Sequence, residues 1–216
     1  MSMAWMRMPG QTWAGAEAAF VAMWTVMMVA MMLPSLAPML VRYRQAVGRS
    51  GEVRLHVLTA VVAVGYFAVW SALGAAVFPL GAALAVAQMR LPALARAVPI
   101  VTGVVVLIAG GMQLTAWKAR HLAFGRDTAR VHALPADAGT AWRHGVCLGV
   151  HCSYCCAGPT ATLLALGVMD LRVMAVVAAA ITAERLAPAG ARVARVVGVV
   201  GIIAGAQLIA RAVGSG

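Results

Sequence analysis

Six stretches of the chain carry no Asp, Glu, Lys or Arg: Ala18–Val41, Leu55–Met89, Ala97–Trp117, His144–Met169, Val173–Ala183 and Val196–Ala210. A bilayer core about 30 Å thick needs about 20 apolar residues in a helix that rises about 1.5 Å per residue. The first four stretches reach that length. The last two reach it only when Glu184 and Arg185, and Arg192, Arg195 and Arg211, lie at the interface with their stems along the lipid. Backbone groups inside a bilayer must find their partners within the protein, and no segment alternates as a barrel strand would. The pattern predicts an all-α fold, a polytopic transmembrane helical bundle of about six helices. These run roughly over 17–41, 56–80, 97–117, 144–168, 172–187 and 193–213, with a cytoplasmic loop at 118–143, and the chain 1–216 reads as a single membrane domain. The last two segments also fit a shallow hairpin.

Composition sharpens this picture. The chain is 63% hydrophobic and 11% charged, against about 45–50% and about 25% for soluble domains, so the charges are too few to coat a soluble globule. Disorder is excluded for the same reason. The basic residues fall unevenly on the predicted links. Arg42, Arg44, Arg49 and Arg54 follow the first helix, Lys118, Arg120, Arg126, Arg130 and Arg143 follow the third, and Arg185, Arg192 and Arg195 join the fifth to the sixth. The opposite side holds Arg7, Arg90, Arg96, Arg172 and Arg211, so 12 of the 17 basic residues share one side. The positive-inside rule makes that side cytoplasmic and places both termini outside, as expected for a multi-pass protein of a bacterial inner membrane. Because the charge is divided among short links, the sequence pI of about 11.2 indicates contact with the lipid bilayer and no nucleic acid. The N-terminal run has one arginine and no clear small-residue cleavage site, and reads as a retained anchor.

Candidate chemistry lies in sulfur. All four cysteines fall in the string HGVCLGVHCSYCC. On a helix, Cys152, Cys155 and Cys156 form one stripe at i, i+3 and i+4, and Cys147 and His151 point elsewhere. One cysteine in a membrane helix is usually packing, but a one-sided C-x-x-C-C is a specific arrangement. A redox pair of Cys152 and Cys155 is compatible with the spacing, yet apolar burial disfavours the thiolate that such chemistry requires. A soft metal displaces the proton and neutralises the thiolate, so metal binding is the better reading.

Ten of the 14 methionines fall within the first 39 residues. Met1, Met3, Met6 and Met8 form a short tail. Met23, Met27 and Met31 share a stripe of the first helix, with Met28 and Met32 beside it. A methionine stripe is more often packing than a ligand set. Thioethers nevertheless favour copper(I), whereas calcium and magnesium take oxygen. The metal set is therefore Cys152, Cys155 and Cys156, with Met27, Met28, Met31 and Met32 as candidate partners, for copper(I), or else zinc or another soft metal.

The chain resembles the predicted metal-binding integral membrane proteins, a domain of unknown function in places labelled copper chaperones. The similar segments are WTVMMVAMMLPSLAPM at 24–39, GYFAVW at 65–70, AGGMQLTAWK at 109–118, and the stretch from CSYCC through LALGVMD to AERLAP at 152–188. By this resemblance Cys152, Cys155 and Cys156 match the family's cysteine cluster, and Met31, Met32 and Pro34 its first-helix motif. The chain departs from the family pattern at His121 and Gly125, where members carry loop cysteines, and at Ala157, where a tryptophan usually follows the paired cysteines. These departures spare the core cluster and bear on a loop-based delivery site.

Pro34, Pro38 and Pro159 read as helix kinks, Asp170 as a turn residue, and Glu184 with Arg185 as a salt bridge at the cytoplasmic edge. No nucleophile–base pair, phosphate loop or paired acids appear, so no enzyme is expected. The leading reading is copper(I) handling: binding, chaperoning or transfer to a copper-accepting protein. The alternatives are a structural or accessory subunit of a larger membrane complex, in which Gly103, Gly110, Gly111, Gly198, Gly201 and Gly205 would face a partner, and a membrane thiol oxidoreductase. A homo-oligomer is compatible with each.

Overall fold

The computed structural model describes residues 5, 7, 10–47, 51–127 and 135–214. Met1, Met3, Met6 and Met8 lie outside the described residues. Among the described residues there are eight helices: α1 (Trp13–Val47), α2 (Glu52–Arg90), α3 (Pro92–Gln113), α4 (Ala116–Asp127), α5 (Ala138–Cys155), α6 (Ala157–Leu166), α7 (Leu171–Leu186) and α8 (Gly190–Gly214). Four of them, α1, α2, α3 and α8, are long and apolar enough to cross a membrane.

Local chemistry sets the ends of these helices. The Thr12 hydroxyl takes the Gly15 amide at 3.1 Å at the start of α1. Asp137 takes the Thr140 amide at 2.8 Å before α5, and Asp170 takes the Arg172 and Val173 amides before α7. Each satisfies a first-turn N–H that has no partner inside its helix. Asp170 thus has the turn role its position suggests. α2 and α3 meet at Leu91, held extended in front of Pro92, as residues before proline tend to be.

Two expectations about element order change. The stretch 118–143, read as a loop, carries α4 and the first turns of α5. The stretch 144–168, read as one helix, is two helices separated at Cys156, whose φ of −97° and ψ of 7° leave the helical region. Pro159 explains the second change. It has no N–H for the Cys155 carbonyl four residues back, and its ring crowds that carbonyl. Pro34 and Pro38, by contrast, sit inside a continuous α1.

Close packing joins the helices through glycine. A Cβ at Gly110 would stand 2.7 Å from the Ile202 amide nitrogen and 2.8 Å from the Gly198 carbonyl oxygen, and one at Gly205 would stand 2.6 Å from the Leu107 amide nitrogen. Gly103 and Gly201 belong to the same seam, so α3 and α8 touch backbone to backbone. The glycines read as a partner-facing stripe are engaged within the chain; only Gly111 faces open space. A second seam joins α2 and α5, where a Cβ at Gly65 would meet the Trp142 carbonyl at 2.9 Å and one at Gly149 the Tyr66 carbonyl at 2.8 Å. α1 lies on α2 through Trp24, whose indole N–H donates to the Trp70 carbonyl at 2.9 Å and whose ring covers Gly74.

Candidate metal centre

The α2–α5 seam builds the site. Because Gly149 has no side chain, the α2 backbone at Tyr66 comes close to α5, and the Tyr66 hydroxyl donates to Cys152 Sγ at 2.9 Å. Cys152, Cys155 and Cys156 are buried, and Cys147 is exposed. Cys152 and Cys156 lie one helical turn apart with sulfurs 3.7 Å from each other. From α7, Arg185 donates through Nη1 to Cys152 Sγ and through Nη2 to Met39 Sδ at 3.5 Å. A hydroxyl and a guanidinium aimed at one sulfur suit an anionic thiolate there.

A second polar group lies behind the first. Lys118, 2% exposed, donates to the Cys155 carbonyl at 2.6 Å and pairs with Glu184 at 2.7 Å. The Gln113 amide donates to the other Glu184 oxygen. The carbonyl that Lys118 occupies is the one Pro159 leaves without an in-helix donor. The helix break, the buried ammonium and its carboxylate thus form one device: the proline frees an acceptor, the lysine fills it, and Glu184 neutralises the lysine. A buried unpaired charge would be strongly unfavourable, and here each polar atom of the trio has a partner.

Beside the cysteines a cavity of about 250 Å³ lies among α1, α4, α5 and the C-terminal end of α7. Its lining includes Met39, Arg42, His121, His151, Cys155 and Arg185. The His121 and His151 rings stack with centroids 5.2 Å apart.

The three cysteines thus come together as their spacing predicts. Met27, Met28, Met31 and Met32 are all buried in the apolar core that also contains the cysteines. The first-helix methionine that lines the cavity is Met39, which lies outside the predicted set of Met27, Met28, Met31 and Met32. Glu184 and Arg185 do not form an edge salt bridge: Glu184 holds Lys118, and Arg185 holds Cys152. Neighbours at i and i+1 diverge by about 100° on a helix and serve different partners. Lys118, placed in a solvated loop by its charged surroundings, is buried. His151 lies off the stripe of Cys152, Cys155 and Cys156, yet it is four residues before Cys155 and lines the same cavity. That i, i+4 relation was the signal that could have found it.

Metal–thiolate bonds of about 2.3 Å to two sulfurs 3.7 Å apart enclose roughly 107° at an ion. The pair therefore favours a bent site with room for a third ligand over a linear one. Among the described residues, no group of three or more His, Cys, Asp or Glu side chains is placed to hold a metal ion. The closest measured pair is Cys152 and Cys156, at 3.7 Å.

Fold and site together define an all-α protein with four helices suited to a bilayer and a charge-assisted thiol cluster in its core. The family model PpoB2, described as copper chaperone, matches residues 21–208, and the chain belongs to that family. Comparison with curated proteins and with solved structures finds no match.

Proposed function

We infer that this chain is a multi-pass protein of a bacterial inner membrane that holds copper(I) on Cys152 and Cys156, with Cys155 as third ligand, and passes it to a copper-accepting partner. One observation carries the reading: two buried sulfurs one turn apart, with Tyr66 and Arg185 directed at one of them. With Cys155 bound as the neutral thiol, copper(I) on the two thiolates has a net charge of −1, and Arg185 neutralises it without help from solvent. The family's description as copper chaperones supports a non-enzymatic role. Met27, Met28, Met31 and Met32 serve as a soft, deformable wall in this reading and as secondary ligands when the ion moves.

Arg42, His121 and Arg185 come from three of the links or helix ends assigned to the cytoplasmic side, and all three line one cavity. With that side taken as cytoplasmic by the positive-inside rule, the site opens toward the cytoplasm and both termini lie outside.

The test is copper(I) bound per chain in the wild type and in the Cys152→Ser, Cys155→Ser, Cys156→Ser triple variant, both verified as helical. The wild type should bind stoichiometrically and the triple variant should not, because a hydroxyl is a hard ligand. Cys147→Ser should bind as the wild type does. Equal copper in wild type and triple variant would refute the site. A wild type that takes no copper and forms a disulfide between Cys152 and either Cys155 or Cys156 would favour the thiol-oxidoreductase alternative.

A further inference from the structure

The cavity beside the cysteines has the wrong charge for a free copper cation. Arg42 and Arg185 line it together with His121 and His151, and among the described residues no Asp or Glu does; Glu184, on the same turn as Arg185, is turned away onto Lys118. A free cation approaching Cys155 would be repelled by two guanidinium groups in a confined, partly apolar space, where such fields are focused. The same lining attracts an anion. At about 250 Å³ the cavity is smaller than the roughly 300–1,000 Å³ of drug-sized ligand sites. It has room for a small molecule and not for the folded surface of a protein donor.

We propose that copper(I) exchanges at this cavity as the anionic complex of a small carboxylated thiol, with Arg42 taking the carboxylate and the cysteines taking the metal. This rests on the copper-handling reading and specifies the form in which the ion arrives or leaves. The exchange balances without a redox partner. A two-coordinate complex of copper(I) with two thiolates, RS⁻, enters with a charge of −1 on its copper–dithiolate core and further negative charge on its carboxylates. Cys155, the cysteine in the cavity lining, bonds to copper first, its thiol proton passing to one thiolate, which leaves as RSH. The Cys152 thiolate then bonds to copper and displaces the second RS⁻, and Cys156 replaces Cys155 on the metal, passing its own thiol proton back to Cys155. Copper stays in the +1 state, and the copper–dithiolate unit carries −1 before and after, so Arg185 neutralises it throughout. Run in reverse, the same steps release copper to a small-thiol pool.

The test follows transfer of copper(I) to the full-length detergent-solubilised protein by the thiolate-to-copper charge-transfer absorbance. The donors are the copper(I) complexes of mercaptosuccinate and of 2-mercaptoethanol, and copper(I) in acetonitrile serves as a thiol-free source. At low salt the mercaptosuccinate complex should transfer about tenfold faster than the 2-mercaptoethanol complex, in the range that electrostatic steering supplies. The preference should collapse in 0.5 M salt, and it should be lost in Arg42→Gln and kept in Arg42→Lys. Equal rates from the two thiol complexes, or a preference untouched by salt and by Arg42→Gln, would overturn the proposal. Uptake from acetonitrile alone, with both thiol complexes refused, would also overturn it while leaving copper binding intact. Refusal of all three sources would instead overturn the copper-handling reading on which it rests. The salt dependence is read on the wild type, so the test holds even where Arg42→Gln fails to fold.

Discussion

The α3–α8 seam and the α5–α6 break solve opposite problems within one bundle. At the seam, Gly103, Gly110, Gly198 and Gly205 let two helices meet backbone to backbone, with no room for a methyl group. At the break, Pro159 opens the backbone, and a buried lysine, glutamate and glutamine close it again with side chains. The seam is rigid because nothing in it can rearrange. The break is held by groups that can exchange partners, and the cysteines lie on it. A site that must accept and release an ion is better placed at a joint of the second kind.

The comparison can be broken most forcefully at the polar joint. Glu184→Gln leaves the Lys118 ammonium buried without its counter-charge and should destabilise the protein by about 3–5 kcal/mol, read as loss of the folded fraction on denaturant titration in detergent. Lys118→Met with Glu184→Leu removes both charges and should recover much of that loss, although the Cys155 carbonyl stays unfilled. A double variant no more stable than Glu184→Gln would show that Lys118 acts through the carbonyl and not through the ion pair.

At the seam, Gly110→Val forces carbon into positions where even a Cβ would stand 2.7 Å from a neighbouring nitrogen. The expected loss is about 1–3 kcal/mol or more, with α3 and α8 separating first in hydrogen exchange. Gly111→Ala, one residue away and facing open space, should be neutral or slightly stabilising, because alanine favours the helix. A similar loss at both positions would mean that helix propensity and not close approach governs the seam.

A smaller effect is expected at Tyr66→Phe. It removes one donor to Cys152 Sγ at a loss of about 1 kcal/mol, and it should weaken copper(I) retention several-fold without changing the stoichiometry. The smallest lies outside the bundle. The hydrogen bond from Thr140 holds the Asp137 carboxyl below the usual carboxylate range. A carboxyl lowered on folding contributes stability above its unfolded pKa of about 3.9 and loses it as pH falls through the lower folded value. Hydrogen exchange at the α5 N-terminus should therefore rise in that acid window in the wild type, and Asp137→Ala should show the raised exchange already at neutral pH.

The same contrast explains what the sequence makes legible. Helix content follows from charge-free runs, and the three-cysteine stripe follows from spacing alone, since both depend on one helix at a time. The glycine seams were visible as small residues but not as mutual partners, because pairing between α3 and α8 is a tertiary choice. Lys118 was read as solvated because its neighbours at 120 and 126 are arginines, and only the acceptor freed by Pro159 gives it a reason to be buried. The break at Cys156 was legible only as a kink at Pro159, because the run from His144 to Met169 continues through it without a charged residue.

The central claim is that copper(I) sits on the thiolates of the α5–α6 break, and X-ray absorption at the copper edge of the loaded full-length protein tests it most directly. The account predicts a first shell of two to three sulfur atoms with no nitrogen or oxygen, present in the wild type and in Cys147→Ser and absent in the Cys152→Ser, Cys155→Ser, Cys156→Ser variant. A first shell dominated by nitrogen, or a sulfur shell that survives the triple replacement unchanged, would contradict it.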